Sequence, residues 1–239
     1  MLAGWLALGA VLALVRGAPG IVTFVFVVAG WMLALVAHEF GHAFVAWKAG
    51  DHTVAEKGYL TLDPIKYADL GTSLVIPLIA LALGGIGFPG GAVYLREDLM
   101  RSPAWRSAAS LAGPAGTLAM FVILSAAAQF WLGLYGADGI ALSAALAFLA
   151  FLQATALILN LLPVPGLDGW GVIRPFLPQD VRERLGKVEA VAMVALLAAI
   201  FFVPGVSAVL IGAAVGLTEA AGVPGIAIAA GFEAFRFWD

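Results

Sequence analysis

The residues of this chain that could do chemistry are few and clustered. His38-Glu39-Phe40-Gly41-His42 forms an HExxH pattern. On a helix, positions i and i+4 share a face, so both imidazoles point the same way. The pair offers two nitrogen ligands to Zn2+, and Glu39 stands beside them as the general base of a metallopeptidase. A chance meeting of polar residues at a helix contact is the bland alternative. It is disfavoured because the pattern lies inside the apolar run Ile21 to Trp47, and an ionisable group deep in a bilayer costs about 2.5–3.5 kcal/mol or more. Two of only three histidines in the chain occupy these positions.

A catalytic zinc site keeps three protein ligands and leaves a position for water, so a third ligand is needed. Asp168 is the best candidate, in the stretch Asn160-Leu161-Leu162-Pro163-Val164-Pro165-Gly166-Leu167-Asp168-Gly169. Taken alone, Asp-Gly reads as a turn; beside the histidines, the ligand reading is favoured. Pro163 and Pro165 stop a regular helix. Unwound backbone at membrane depth is tolerated only where it is buried in protein or lines a wet cavity. His52 falls in a polar loop and reads as a solvated side chain rather than a fourth ligand.

These residues must be positioned by membrane helices. Of 239 residues, 63% are hydrophobic and 11% charged, with mean hydropathy +1.04, whereas soluble domains average about 45–50% apolar and about 25% charged residues. A soluble enzyme and a disordered chain are excluded, and a net charge of −3 gives no general attraction to nucleic acid. The absence of cysteine rules out disulfides and thiolate chemistry. The expected fold class is an all-α polytopic membrane protein of about six transmembrane helices, each needing about 20 apolar residues, with a re-entrant segment or short β-hairpin near the active site.

Clear spans are Ile21 to Trp47, Ser107 to Leu134 and Ile140 to Leu162. Leu2 to Val15 is shorter, is expected to span by extending past Arg16, which can snorkel, and reads as a retained helix, since it lacks a basic n-region. Val188 to Leu217 is interrupted by Pro204-Gly205 and fits either one kinked helix or two short ones. The whole of 1–239 reads as a single membrane-embedded domain, with a catalytic core over about 21–175 and a C-terminal helical hairpin over about 188–221.

A shared metal fixes the topology further. His42 precedes Lys48 by six residues and Asp168 precedes Arg174 by six, so each lies near the C-terminal end of its span. Both spans must then run in the same direction, which requires Leu70 to Leu95 to dip in and return, or to lie at the interface. Charge gives an independent check: cytoplasmic loops are enriched in Lys and Arg. A full crossing by Leu70 to Phe88 divides the twelve basic residues nine against three, whereas a returning segment places eleven on one side and only Arg16 on the other. The active-site ends of both helices are thus expected to face the cytoplasm. Arg182, Arg184 and Lys187 then read as an anchor at anionic headgroups.

The sequence resembles the site-2 protease family of intramembrane zinc metalloproteases, which carries HExxH on one core helix and an NxxPxxxLDG-type motif on another. Further matches are Gly50-Asp51, Leu60 to Tyr67, Gly71-Thr72 and Ala112-Gly113-Pro114. The resemblance covers roughly Ala34 to Pro175, with the spacing of the compact branch that has no PDZ or CBS domain. Thr117 stands where the family usually has Asn, and Gly90 to Leu95 replaces a stretch that often reads like GWAKPVPV. Neither departure is expected to touch the metal; both bear on local substrate contacts.

The resemblance implies one Zn2+ per chain held by His38, His42 and Asp168, with Glu39 catalytic and Asn160 assisting at the substrate backbone or oxyanion. On propensity alone, Asn160 is equally a helix C-terminal cap. The implied partner is a membrane-spanning protein or peptide substrate in the lipid bilayer of the cell membrane, such as a membrane-tethered regulator or signal-peptide remnant cut after an earlier cleavage. Ala92 to Leu95 reads as a short strand that could pair with an extended substrate, or as a plain interfacial loop. The rival class is a transporter or metal carrier with an ionic path of His, Glu and Asp; the sequence shows no inverted repeat, and such a path has no need of Glu39.

Overall fold

Ten α-helices, with no strand, make up the described part of the chain. The computed structural model describes residues 1–15, 17–63, 66, 93–135 and 141–238. The helices are α1 (Leu2–Leu14), α2 (Gly20–Ala49), α3 (Thr53–Glu56), α4 (Pro103–Tyr135), α5 (Ala141–Asn160), α6 (Asp168–Ile173), α7 (Gln179–Gly186), α8 (Glu189–Phe202), α9 (Val206–Ala220) and α10 (Gly225–Phe235). Helices α2, α4 and α5 are each long and apolar enough to cross a bilayer. Two bent pairs, α7 with α8 at 59° and α9 with α10 at 120°, bring the number to five if each pair is one span. The expectation of about six spans is not reached among the described residues, because α1 has 13 residues where a crossing needs about 20. Leu70 to Phe88 lies outside the described residues. Val93 to Leu95, expected at the end of a short strand, adopt no strand.

Helix α5 is the hub. From Leu142 to Asn160 nearly every residue is buried, and α2, α4, α9 and α10 all pack against it. A helix that is apolar all round belongs in an interior, and here Leu146, Phe148, Leu149 and Leu152 form the core with Phe26, Val27, Phe121 and Leu124. Helix α4 instead exposes Leu118, Val122, Ile123 and Phe130, the face expected to meet lipid. Its inner face approaches α2 through small residues. A Cβ on Gly41 would stand 2.4 Å from the Ala112 carbonyl oxygen, and one on Gly116 would stand 2.6 Å from that of Ala37. Without a hydrophobic drive between membrane helices, such close backbone packing is what holds them.

The C-terminal end of α2 meets the N-terminal end of α4. Arg101 donates its backbone N–H to the Ala49 carbonyl at 3.0 Å and its side chain to the carbonyls of Lys48 and Ala49, satisfying acceptors that a helix end leaves open. The buried Asp51 carboxylate accepts from Thr53 and from the Arg96 backbone N–H at 2.8 Å. Residues 48–63 and 93–106 therefore stand at the same end of α2, the placement that a shared metal site demands.

Beyond α7 the interrupted apolar run forms two helices rather than one with a kink, the chain turning through Gly205 at φ 91°. Leu159, Ile200 and Leu210 join α8 and α9 to the end of α5. Helix α10 lies beyond the hairpin expected from the sequence. Phe232 and Phe235 bring it against Phe148 of α5, with ring centroids 5.5 and 5.4 Å apart.

Candidate metal centre

Helix α2 presents His38 and His42 from one face, one turn apart, with their Nε2 atoms 3.0 Å from each other. Asp168, at the start of α6, approaches from another part of the chain. Its Oδ2 lies 3.2 Å from His38 Nε2 and its Oδ1 lies 3.2 Å from His42 Nε2. Both imidazoles are buried and Asp168 is half-buried. Tetrahedral ligands with metal–nitrogen bonds of about 2.0–2.1 Å stand about 3.3 Å from one another, so the three side chains are spaced as such ligands are. His38, His42 and Asp168 are also the group among the described residues whose ligand atoms could hold a metal ion.

The outer nitrogens of both rings are held. His42 Nδ1 lies 2.8 Å from the Ala109 carbonyl oxygen. A carbonyl only accepts, so Nδ1 carries the proton and Nε2 presents its lone pair inward. His38 Nδ1 lies 2.8 Å from Thr117 Oγ1. Both partners belong to α4, on either side of Pro114, which lies inside that helix and has no N–H to give to its backbone ladder. Thr117, expected to bear only on substrate contacts, thus supports the His38 ring directly through its hydroxyl.

Three observations bear on whether a metal fits here. Asp168 Oδ2 is buried and makes no aligned hydrogen bond among the described residues, although it touches the histidines. A Cβ on Gly113 of α4 would stand 2.1 Å from His42 Nε2 and 2.7 Å from His38 Nε2, so glycine keeps the space in front of both nitrogens open. The donor set itself, two imidazoles and one carboxylate, is one that suits zinc with a position left for water. The residues fit the ion.

Asp168 is set in place by the segment after α5. Helix α5 ends at Asn160, the chain turns through Gly166 at φ 100°, and Leu167 is extended before α6 begins at Asp168. Asp168 is therefore the first residue of a short helix rather than part of a free Asp-Gly turn. Gly169 lets α6 sit against the end of α5, where a Cβ would stand 2.4 Å from the Leu161 carbonyl oxygen.

The three side chains open on a cavity of about 620 Å³ that is also lined by Glu39, Asn160, Thr117, Gln153 and Trp31. Glu39 is buried beside the histidines, with the Val93 backbone alongside it. Asn160 closes α5 and faces the same cavity. His52 is exposed, packs its ring edge-on against Trp47 at 6.3 Å, and stands apart from the group. The supporting roles around the metal centre that sequence reasoning missed fall to a backbone carbonyl, a hydroxyl and a glycine. Gly113 and Thr117 are marked by the family resemblance without these roles, and the Ala109 carbonyl carries no sequence signal at all.

Membrane-length helices around a buried His-His-carboxylate group, with a glutamate beside it, define a membrane-embedded protein of the metallohydrolase class. The chain is 45% identical over 216 residues, 90% of its length and 82% of the relative's, to a protein of Mycobacterium tuberculosis provisionally named zinc metalloprotease Rip2. A Mycolicibacterium smegmatis protein of the same name is 40% identical over 225 residues, again 90% and 82% of the two chains. The Bacillus subtilis protein provisionally named zinc metalloprotease YwhC is 31% identical over 175 residues, 70% and 75% of the two chains. No family model matches the chain, and no solved structure matches it. The chain belongs to the site-2 protease family.

Proposed function

We propose that this protein is an intramembrane zinc metalloprotease that hydrolyses peptide bonds of membrane-spanning substrates, with His38, His42 and Asp168 holding one Zn2+ and Glu39 as the catalytic acid-base. The observation that carries this reading is the convergence of His38 and His42 from α2 with Asp168 from α6 at 3.0–3.2 Å. Membership of a family whose relatives are named zinc metalloproteases supports the same chemistry. The ion-path alternative is not favoured, because it gives no reason for Glu39 to be buried beside the two imidazoles.

When bound, zinc supplies a Lewis acid that polarises the scissile carbonyl and makes water nucleophilic near neutral pH. The protein's own part follows from the positions of its side chains. Ala109 and Thr117 hold the imidazoles in one orientation, and Asp168 supplies the negative charge. Glu39 takes a proton from water and later delivers it to the leaving amine nitrogen. Asn160, on the cavity wall, offers its side-chain amide to the substrate backbone. The apolar helices keep bulk solvent away, so these polar groups act in a medium where electrostatic interactions are strong.

The substrate class is a single-span membrane protein whose helix must unwind to expose a peptide bond. The protein lies in the cell membrane with the active-site ends of α2 and α5 toward the cytoplasm, supported by the count of basic residues on that side. The catalytic core extends over about 21–175, with 188–221 as a hairpin appended to it.

Glu39→Gln tests the chemistry: it is expected to retain one zinc per chain and to lose cleavage of a membrane-embedded test substrate. Continued cleavage by that variant, with contaminating proteases excluded, would sink the mechanism. Asp168→Ala is expected to lose both metal and activity, and unchanged zinc content there would remove Asp168 from the ligand set. Orientation is accessible because the chain has no cysteine of its own. A single cysteine placed at Lys57 should react with an impermeant maleimide only from the cytoplasmic side.

A further inference from the structure

The cavity extends away from the metal centre toward the middle of α2 and α5, and its far end is polar in an unusual way. Trp31 of α2 and Gln153 of α5 line it, and they are only 5% and 2% exposed. Trp31 Nε1 and Gln153 Nε2 are both buried donors with no acceptor among the described residues. A buried donor left without a partner carries its full desolvation penalty, and such groups call for an explanation. Apolar residues of the same size would pack these positions without that cost.

The two donors face the same stretch of the cavity from neighbouring helices, offset by about one helical turn in depth. Gly30 of α2 lies against Leu149 of α5, which sets the helices in register, and both then run toward the metal centre. Trp31 precedes His38 by seven residues, and Gln153 precedes Asn160 by seven. At 1.5 Å per residue this puts Trp31 about 10 Å deeper than His38, with Gln153 about one helical turn nearer the site. An extended peptide covers that distance in about three residues, at about 3.3 Å each. An unwound substrate segment arrives with carbonyl oxygens that have lost their helical N–H partners, and these are the acceptors that both side chains lack.

We infer that Trp31 and Gln153 form a carbonyl-binding subsite that holds the substrate backbone about three residues from the cut bond, on its membrane-buried side. The inference rests on the assignment of His38, His42 and Asp168 as the metal centre. Binding there stabilises the unwound form of the substrate against the helical form, so it selects segments able to unwind over that length. Trp170 Nε1, a third buried donor on the cavity wall without an acceptor, lies two residues past Asp168 at the other end and is not part of this subsite.

The test uses the full chain in lipid nanodiscs and a one-span peptide substrate in which backbone amides are replaced one at a time by esters. An ester carbonyl is a weaker acceptor, so the wild-type protein should show one sensitive position about three residues from the cut. There KM should rise about 5- to 10-fold, the size of one lost hydrogen bond. Gln153→Met and Trp31→Phe should each raise KM for the all-amide substrate by a similar factor, with zinc content and kcat held. Both variants should also lose the distinction between ester and amide at that position. A flat ester scan in the wild-type protein overturns the proposal without recourse to any variant. So does ester sensitivity that persists in full in both variants, the result expected if the far end holds only water. A flat scan with Glu39→Gln inactive removes the subsite alone, whereas cleavage by Glu39→Gln removes the metal-centre reading beneath it.

Discussion

Thr117 on α4 and His38 on α2, 79 residues apart in sequence, meet at 2.8 Å between Oγ1 and Nδ1 in the buried interior. The contact fixes the plane of the imidazole and aims Nε2 at His42 and Asp168. Partners of this kind beyond the ligands set ring orientation and basicity, and their loss typically costs 10- to about 100-fold in metal affinity. Thr117→Val, close in shape but without the hydroxyl, is therefore expected to weaken zinc binding about 10-fold in a chelator competition. Thr117→Ser should keep most of the affinity, and equal affinity in all three proteins would leave the hydroxyl without a role.

Gly113→Ala is expected to be far more severe. The added Cβ would fall 2.1 Å from His42 Nε2, into the space between the imidazoles and α4, so the histidines must shift or the helices must separate. Zinc per chain should drop well below one and cleavage by about 100-fold or more, the upper end for damage around a metal site. Gly133→Ala on the same helix meets nothing within 4 Å and should leave metal content and cleavage unchanged.

Asp51 is fully buried, and its carboxylate takes the Thr53 N–H at 3.1 Å, the Thr53 hydroxyl at 2.6 Å and the Arg96 N–H at 2.8 Å. Asp51→Ala strands these donors, each worth about 1–3 kcal/mol when left unsatisfied and buried. A net loss of about 2–3 kcal/mol is expected once partial rehydration is allowed for. It should appear as a lower unfolding temperature together with faster hydrogen exchange at 93–101, where Val93, Tyr94, Leu95 and Glu97 form part of the cavity wall. Destabilisation spread evenly over the chain would contradict this local clip.

Arg96 also makes an exposed pair with Asp98, Nε to Oδ1 at 2.9 Å and Nη2 to Oδ2 at 2.8 Å. The hydrogen-bonded guanidinium holds the Asp98 carboxyl below the usual carboxylate range. A carboxyl depressed in the folded state contributes stability above its unfolded pKa, and that contribution is lost as pH falls through the folded value. Arg96→Gln should return the Asp98 titration, followed by carboxyl carbon NMR, toward the ordinary value. The Arg96 backbone N–H that Asp51 accepts is unchanged by this substitution, so hydrogen exchange at 93–101 should not follow the Asp51→Ala pattern.

The membrane class and the metal chemistry were legible in the sequence because each depends on local rules. Three apolar runs predicted α2, α4 and α5 to within a few residues, since a span must satisfy its backbone internally and its length is set by the bilayer. His38 and His42 share a face by helical periodicity alone. Asp168 could be named because a zinc site needs a third ligand and few carboxylates lie near a span end.

Other features were decided only by the tertiary structure. The resemblance marks Gly113 within Ala112-Gly113-Pro114, but only packing shows that it clears the front of the imidazoles while Gly133 meets nothing. No pattern of side chains announces that the Ala109 carbonyl fixes a histidine tautomer. The same holds for Thr117, whose hydroxyl matters through a ring on another helix, and for α10, a short apolar helix that becomes part of the core only by packing on Phe148. Periodicity and composition report how a segment treats its own backbone and its surroundings. Which two segments meet, and at what depth, follows from packing among helices that are all apolar, and that information is not carried by any one of them.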